Sequence, residues 1–443
     1  MITTRKLFST ALTLTIVWGS ASAQRRAPGA ARGTSGVKEV NQVKGADPNR
    51  TVAVVGATLI DGRGGSPVAD SAVVVRGGRI VAAGPRSSVR VPAGAEVFEA
   101  RGLTLLPGLI DAHFHIDGDD PLPALFLSHG VTSLRDPGQW IEAYDAARAA
   151  AAPVPRLFLT GPHLDSPPPA YPADSYVVRD EEEARLAVER FADQGASAFK
   201  VYFRLPVALI RVVCEEAHRR GLPVTSHLEI VDAADAVRAG VDGVEHVTSF
   251  GTALLPTRDA EKYRQAVLAD NAARREGRYE VWNKADLDGA RAQSIINLLA
   301  GRGTYLSPTL AIFERRAGDK DTTDVHVRGF KQMLEFTGRA RRAGVRVVVG
   351  SHSAVPHAER GWAYQRELEL LVEAGLTPMQ TIVAATSENA RFFRVGERLG
   401  SVEAGKLADL LLVEGDPLKD IRVMRNVRRV MLGGAWVGAA QGQ

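Results

Sequence analysis

The chain of 443 residues holds one cysteine, Cys214, so no intramolecular disulfide can form, and stability must come from core size or from a metal. Aromatic residues are sparse at 6%, and no basic stripe interleaved with them runs through the chain. That excludes a nucleic-acid partner on the usual electrostatic footprint. The apolar run at 7–18 falls short of the roughly 20 residues a membrane-spanning helix needs. What remains, 45% apolar and 24% charged residues, is the composition of a globular protein rather than a disordered or fibrous one.

The net charge of +4 is unevenly placed. Arg5 and Lys6 precede the 7–18 run, and Ala21-Ser22-Ala23 supplies small residues of the kind found at a cleavage site. Residues 1–23 are therefore read as a signal peptide, with export to a periplasm or medium and no stable membrane insertion after cleavage. Residues 24–50 carry six basic residues against Glu39 and Asp47 and show no periodicity, as expected of a flexible leader. Together these two segments hold more than the whole net charge, which leaves 51–443 at −2. The basicity speaks to targeting, and the folded part is close to neutral.

From 51 to 106 short apolar runs alternate with glycine-containing turns, including a hairpin signal at Gly77-Gly78, and 400–443 repeats that texture. The expectation is one small composite β-sandwich domain built from both ends of the mature chain. Between them, 107–399 alternates strand-like runs with helical patterns. The runs are 106–116, 131–135, 156–160, 198–202, 223–228, 243–247, 303–310 and 345–350. One intervening helix is expected after Asp180 as cap, with Ala184, Ala187, Val188, Phe191 and Ala192 on its apolar face. Eight βα units in sequence predict a (β/α)8 TIM barrel, an α/β fold whose active site lies at the C-terminal strand ends. Two long connections stand out: the proline-rich 165–176, a substrate-facing loop or a rigid crossover, and the polar 250–300, a lid or an outer helix pair. Cys214, among Val212, Val213 and Ala217 on a helical pattern, reads as core.

Chemistry concentrates at the ends of the runs. His113 and His115 are two apart on a strand, so both imidazoles project from one face and can grip one cation. His227 and His246 each close a run of their own. One histidine at a strand end is ordinary packing; four around one barrel mouth call for a metal. Lys200 stands within an apolar strand, where burial favours the neutral amine. Such an amine can take up CO2 as a metal-bridging carbamate, or the ammonium can pair with an acid across the mouth; the spacing leaves both open.

These residues lie in motifs (PGLIDAHFH, FKVY, EAHRRGLPVTSHLE, GVDGVEH, ELLVEAGLTPMQTIVAATSENAR and LGSVEAGKLADLLLVEGDP) through which nearly the whole mature chain resembles the amidohydrolase superfamily. The likeness is to its imidazolonepropionase-like and metal-dependent dipeptidase (prolidase-type) branch. The resemblance implies a barrel with a composite β-sandwich, two divalent metal ions, zinc being the expected one, and hydrolysis of C–N bonds. It implies that His113 and His115 bind the more buried ion, that carboxylated Lys200 bridges, and that His227 and His246 hold the second. By the same resemblance Tyr202 hydrogen-bonds the developing oxyanion, His163 contacts substrate, and His357 occupies the last active-face loop.

The eighth strand departs from the pattern. Where the superfamily has Gly-Ser/Thr-Asp, this chain reads VVVGSHSAV, with His352 in place of the metal-binding and proton-accepting aspartate. His352 can take over both tasks, or Asp165 or Asp174 can act as base, or the protein can bind without efficient turnover. The expected activity is hydrolysis of an amide or peptide-type bond in a small substrate (a dipeptide, N-acyl amino acid or cyclic amide) by a metal-activated hydroxide. The alternatives are an ester or lactone metallohydrolase, or a weakly active or non-catalytic binding homologue. A homo-oligomer is compatible with the sequence.

Overall fold

The computed structural model describes residues 37–43 and 45–438; the signal-peptide reading of 1–23 lies outside them. Each of the eight apolar runs contains a short parallel strand. Leu109–Asp111, Val131–Leu134 and Arg156–Leu157 form one sheet. Phe199–Val201, Val224–Ser226, Gly243–Glu245, Tyr305–Ser307 and Arg346–Val347 follow one another in a second. Backbone hydrogen bonds join the two sheets on both sides. Ser197 N donates to Leu159 O at 2.7 Å on one side, and Ala112 N donates to Val349 O at 2.8 Å on the other.

Helices cross between consecutive strands, as parallel pairing demands. Glu181–Asp193 shows why they form where they do. Asp180 accepts from Glu183 N at 2.9 Å, three acids occupy the first turn against the helix dipole, and Ala184, Ala187, Val188 and Phe191 bury one face. Helix Val207–Arg219 buries Cys214, and loss of hydration pushes its thiol far above the ordinary range. A maleimide should therefore leave the native protein unlabelled and react at once after denaturation; rapid native labelling, read by mass spectrometry, would contradict this burial.

Two β-rich sheets complete the fold. One has the spatial order Arg79–Pro85, Ser71–Arg76, Thr51–Val55, Glu96–Glu99; the other runs Ala435–Trp436, Val427–Leu432, Leu410–Glu414, Leu103–Pro107, Thr58–Leu59 and so draws on both chain ends. Val52, Val54, Val73, Leu105, Leu410 and Met431 share one apolar core between them. The hairpin at Gly77-Gly78 forms as expected. It packs on the Gly433-Gly434 turn so closely that a Cβ on Gly434 would stand 2.7 Å from the Gly78 Cα, which only glycine tolerates.

The leader expected to be flexible through residue 50 is docked in part. Val37 is buried, Val40 N donates to Leu157 O at 2.9 Å, Asn41 bonds Pro155 and Leu157, and Glu39 pairs with Arg156 and Arg398. An unsatisfied strand edge and a buried guanidinium take up this segment, a requirement no local periodicity shows. Among the described residues no helix is long and apolar enough to cross a membrane.

Candidate active site

A cavity of about 250 Å³ opens at the C-terminal ends of the parallel strands, lined among others by His115, His163, Lys200, Tyr202, His227, His246 and His352. A larger hollow of about 710 Å³ lies against residues 40–43 and 147–154, away from the histidines, and its lining is mostly alanine and valine.

His113 Nδ1 lies 2.8 Å from Glu245 Oε2, and His115 Nδ1 lies 3.2 Å from Asp136 Oδ1. A carboxylate only accepts, so each Nδ1 carries the proton and each Nε2 turns inward as a bare acceptor. The two Nε2 atoms meet at 3.1 Å. Facing lone pairs at that separation repel unless a positive charge lies between them. His352 completes the group, with ligand atoms of all three side chains within 4.8 Å of one another. Its ring is 5.3 Å from that of His113, 4.8 Å from His115 and 5.5 Å from His246. His246 is fixed by Thr309 Oγ1 at 2.7 Å from Nδ1, and its ring is 4.4 Å from that of His227. The chain enters positive φ at His246, Thr309, His352 and Ser353, a concentration of backbone strain at the strand ends that the site over-determines.

Burial depresses the basicity of His113, His163, His246 and His352 well below the ordinary imidazole range and brings His227 down to about 4. His227 differs in its anchoring. Its Nε2 lies 3.2 Å from Glu229, which also takes the Tyr263 hydroxyl at 2.6 Å and Arg278 at 3.1 Å, so Nδ1 is the nitrogen left for a cation. Lys200 is buried, and desolvation lowers its ammonium to about 8 against the pull of Glu245 and Asp136. No carboxylate lies within ion-pair distance of it among the described residues, so the cross-mouth ion pair does not form. Asp111 leaves Oδ2 buried without a hydrogen-bond partner, and burial raises that carboxyl to about 6.

This donor set fits divalent metal on its own chemistry. Neutral imidazoles converge, the outer nitrogens of His113, His115 and His227 are held by carboxylates and that of His246 by a hydroxyl, and a desolvated amine and an orphaned carboxylate oxygen accompany them.

Tyr202 lies 4.2 Å, ring to ring, from His163 and 4.8 Å from His227, and its hydroxyl has no hydrogen-bond partner among the described residues. His163 is buried with Nδ1 unpartnered. Its ring fits only because residue 138 is glycine, where a Cβ would fall 2.0 Å from the His163 Nε2.

Three expectations are corrected. His357 does not reach the cavity; it binds Asp319 at 2.9 Å on the loop outside it. Asp165 is no free base, because it accepts from the backbone of Ser166, Ala170 and Arg204 and so pins the 165–176 loop. Of the two readings of 250–300, the outer helix pair is corrected, since helix Ala273–Lys284 sends Arg274 and Arg278 into the cavity wall, where Asp174 and Tyr171 of the 165–176 loop also stand. Sequence reasoning missed Asp136, Arg135 and Glu245. Each stands at or beside a strand end, the same positional signal that singled out the histidines.

Parallel strands whose C-terminal ends gather histidines, carboxylates and a buried lysine around one cavity define a metal-binding hydrolase of the α/β class. The chain belongs to the amidohydrolase family, whose model matches residues 104–437, and it is a hydrolase acting on C–N bonds, with the prolidase-like branch among its likenesses. Ochratoxinase of Aspergillus niger is 24% identical over 455 aligned residues, covering 86% of this chain and 84% of that one. An N-acyl-D-aspartate deacylase of Alcaligenes xylosoxydans xylosoxydans is 46% identical over 86 residues, although this chain spans only 16% of its length. Among solved structures, a Xaa-Pro dipeptidase with bound methionine in its active site superposes with a TM-score of 0.69 at 22% identity, covering 88% of this chain and all of that one (100%).

Proposed function

We propose that the protein is a metal-dependent amidohydrolase that cleaves the amide bond of a small substrate: a dipeptide, an N-acyl amino acid or a cyclic amide. The eight parallel strands close into a (β/α)8 barrel beside a composite β-sandwich, and the cavity at its mouth holds two divalent ions, zinc being the expected one. His113, His115, His227 and His246 would hold the ions, His352 would complete the set, and Lys200, as its carbamate, would supply a further carboxylate ligand. Export to a periplasm or medium follows from the 1–23 reading. The observation that carries this proposal is the 3.1 Å contact of two bare imidazole nitrogens, each backed by a carboxylate.

When bound, such ions act as Lewis acids on the carbonyl and acidify water. The protein's own residues do the rest. Tyr202, kept protonated because burial raises its phenol far above the ordinary range, donates to the carbonyl oxygen as charge develops there. His352, kept neutral by burial, has a single free lone pair, which accepts a proton from water and returns it to the leaving nitrogen when it is not engaged by an ion. Glu245 and Asp136 hold the His113 and His115 rings so that neither needs to reorganise during the reaction. The cavity's small volume limits the substrate to a few residues' bulk.

The test is metal analysis of the purified full chain together with a hydrolysis screen over dipeptides, N-acyl amino acids and cyclic amides. His352→Ala is expected to lower both metal content and turnover, by about 10²-fold or more in rate. Unchanged metal and unchanged rate in that variant would remove His352 from the site.

A further inference from the structure

Of the two arginines that helix Ala273–Lys284 sends to the cavity, only one is neutralised. Arg278 donates to Glu229 at 3.1 Å, and that carboxylate is buried. Arg274 is 7% exposed and makes no ion pair among the described residues, although Asp117 and Asp174 line the same cavity. Its Nη2 donates to the Tyr171 hydroxyl, and its Nε is buried with no hydrogen-bond partner among the described residues. The guanidinium otherwise meets only rings, 5.2 Å from the centroid of Tyr171 and 5.6 Å from that of Phe203. A buried, unpaired guanidinium is costly, and here desolvation and the like charges of Arg278 and Arg275 pull it down to about 9. Most structural arginines in this protein avoid that cost; Arg135 and Arg156, equally buried, both reach carboxylates.

The position of Arg274 says what would relieve it. Tyr171 lies 5.9 Å, ring to ring, from Tyr202, and Phe203 lies 5.7 Å from His227. The free guanidinium edge is thus about one aromatic ring removed from the groups that face the scissile bond. An anion on the substrate a few bonds from its amide reaches both.

We propose that Arg274 is the specificity-determining residue that binds a free carboxylate on the substrate, so that the protein takes amides bearing a carboxylate near the scissile bond, such as dipeptides and N-acyl amino acids, in preference to neutral cyclic amides. This rests on the amidohydrolase reading of the same cavity. Tyr171 shapes the anchor by taking one donor of the fork and leaving the rest for the carboxylate. The aromatic walls exclude water, which strengthens a charge-assisted bond made there.

The experiment compares a panel of N-acetyl amino acids with the matching N-acetyl amino acid amides, reading acetate release by the zinc-loaded full chain. Wild type is expected to favour the carboxylates by about ten- to a hundredfold in kcat/KM, the range of a hydrogen-bonded buried charge. Arg274→Met is expected to bring that ratio to about one, chiefly through KM, and Arg274→Lys to restore part of it. A wild-type ratio near one, or a preference that survives Arg274→Met, overturns the assignment. Calorimetry with free amino acids against their amides reads the anchor without turnover. Tighter carboxylate binding that Arg274→Met abolishes supports the anchor even if no amide is cleaved, in which case the hydrolytic reading alone fails; equal binding of the two probes overturns the anchor whether or not amides are cleaved.

Discussion

Lys200→Ala is expected to empty the cavity of most of its metal and to lower hydrolysis by about 10²- to 10³-fold, the several kcal/mol that Lewis-acid stabilisation contributes. The lysine is buried, lowered to about 8, and without a carboxylate at ion-pair distance among the described residues. A lysine with a structural ion pair would show the opposite pattern. Because the proposed ligand is a carboxylate made on the amine, added acetate or propionate should restore part of the metal to Lys200→Ala. Mass spectrometry for metal and a hydrolysis assay read the two effects separately. Full metal retention in the variant would reject the carbamate ligand, and loss without rescue would leave Lys200 as a group that only tunes the field around the histidines.

The second large effect concerns the join between the parallel strands and the β-rich sheets. Arg156, on the third parallel strand, donates to Asp409 through Nε at 2.7 Å and Nη2 at 3.1 Å, and to Glu39 through Nη1 at 3.0 Å. Asp409 also accepts from Gly433 N at 2.7 Å. Asp409→Ala strands a buried guanidinium and leaves that amide unpaired, so about 3–5 kcal/mol of stability is expected to go, read as a fall in the urea midpoint. Glu39→Ala should cost less, since Asp409 remains. Burial acts to raise the Glu39 carboxyl, but its backbone hydrogen bond and the charges of Arg398 and Arg156 together hold it below the ordinary range. Its contribution is therefore present above the unfolded carboxylate pKa and lost as pH falls through the lowered one. The gap between wild type and Glu39→Ala should close in acid and stay open at neutral pH.

The strands were legible because each is a short apolar run with a polar residue at its C-terminal end, a property of the local chain. For that reason His113, His115, Lys200, His227 and His246 were found by position, Tyr202 and His352 were added by the family resemblance, and all seven stand in or against one cavity. His357 was misplaced because a loop residue inherits no direction from a strand, and Asp319 captures it outside. Asp165 looked free because its three backbone donors come from residues up to 39 positions away.

What the sequence determined by itself is the order of βα units and the residue type at each strand end, because period and spacing are set by backbone geometry within a few residues. Only the tertiary structure decided which charges are neutralised. Glu245 backs His113 across 132 positions, Arg278 finds Glu229, and Arg274, four residues earlier on the same helix, finds a tyrosine hydroxyl but no carboxylate among the described residues. Pairing depends on where distant segments converge and on how much water they exclude, and neither is written in the local pattern of the chain.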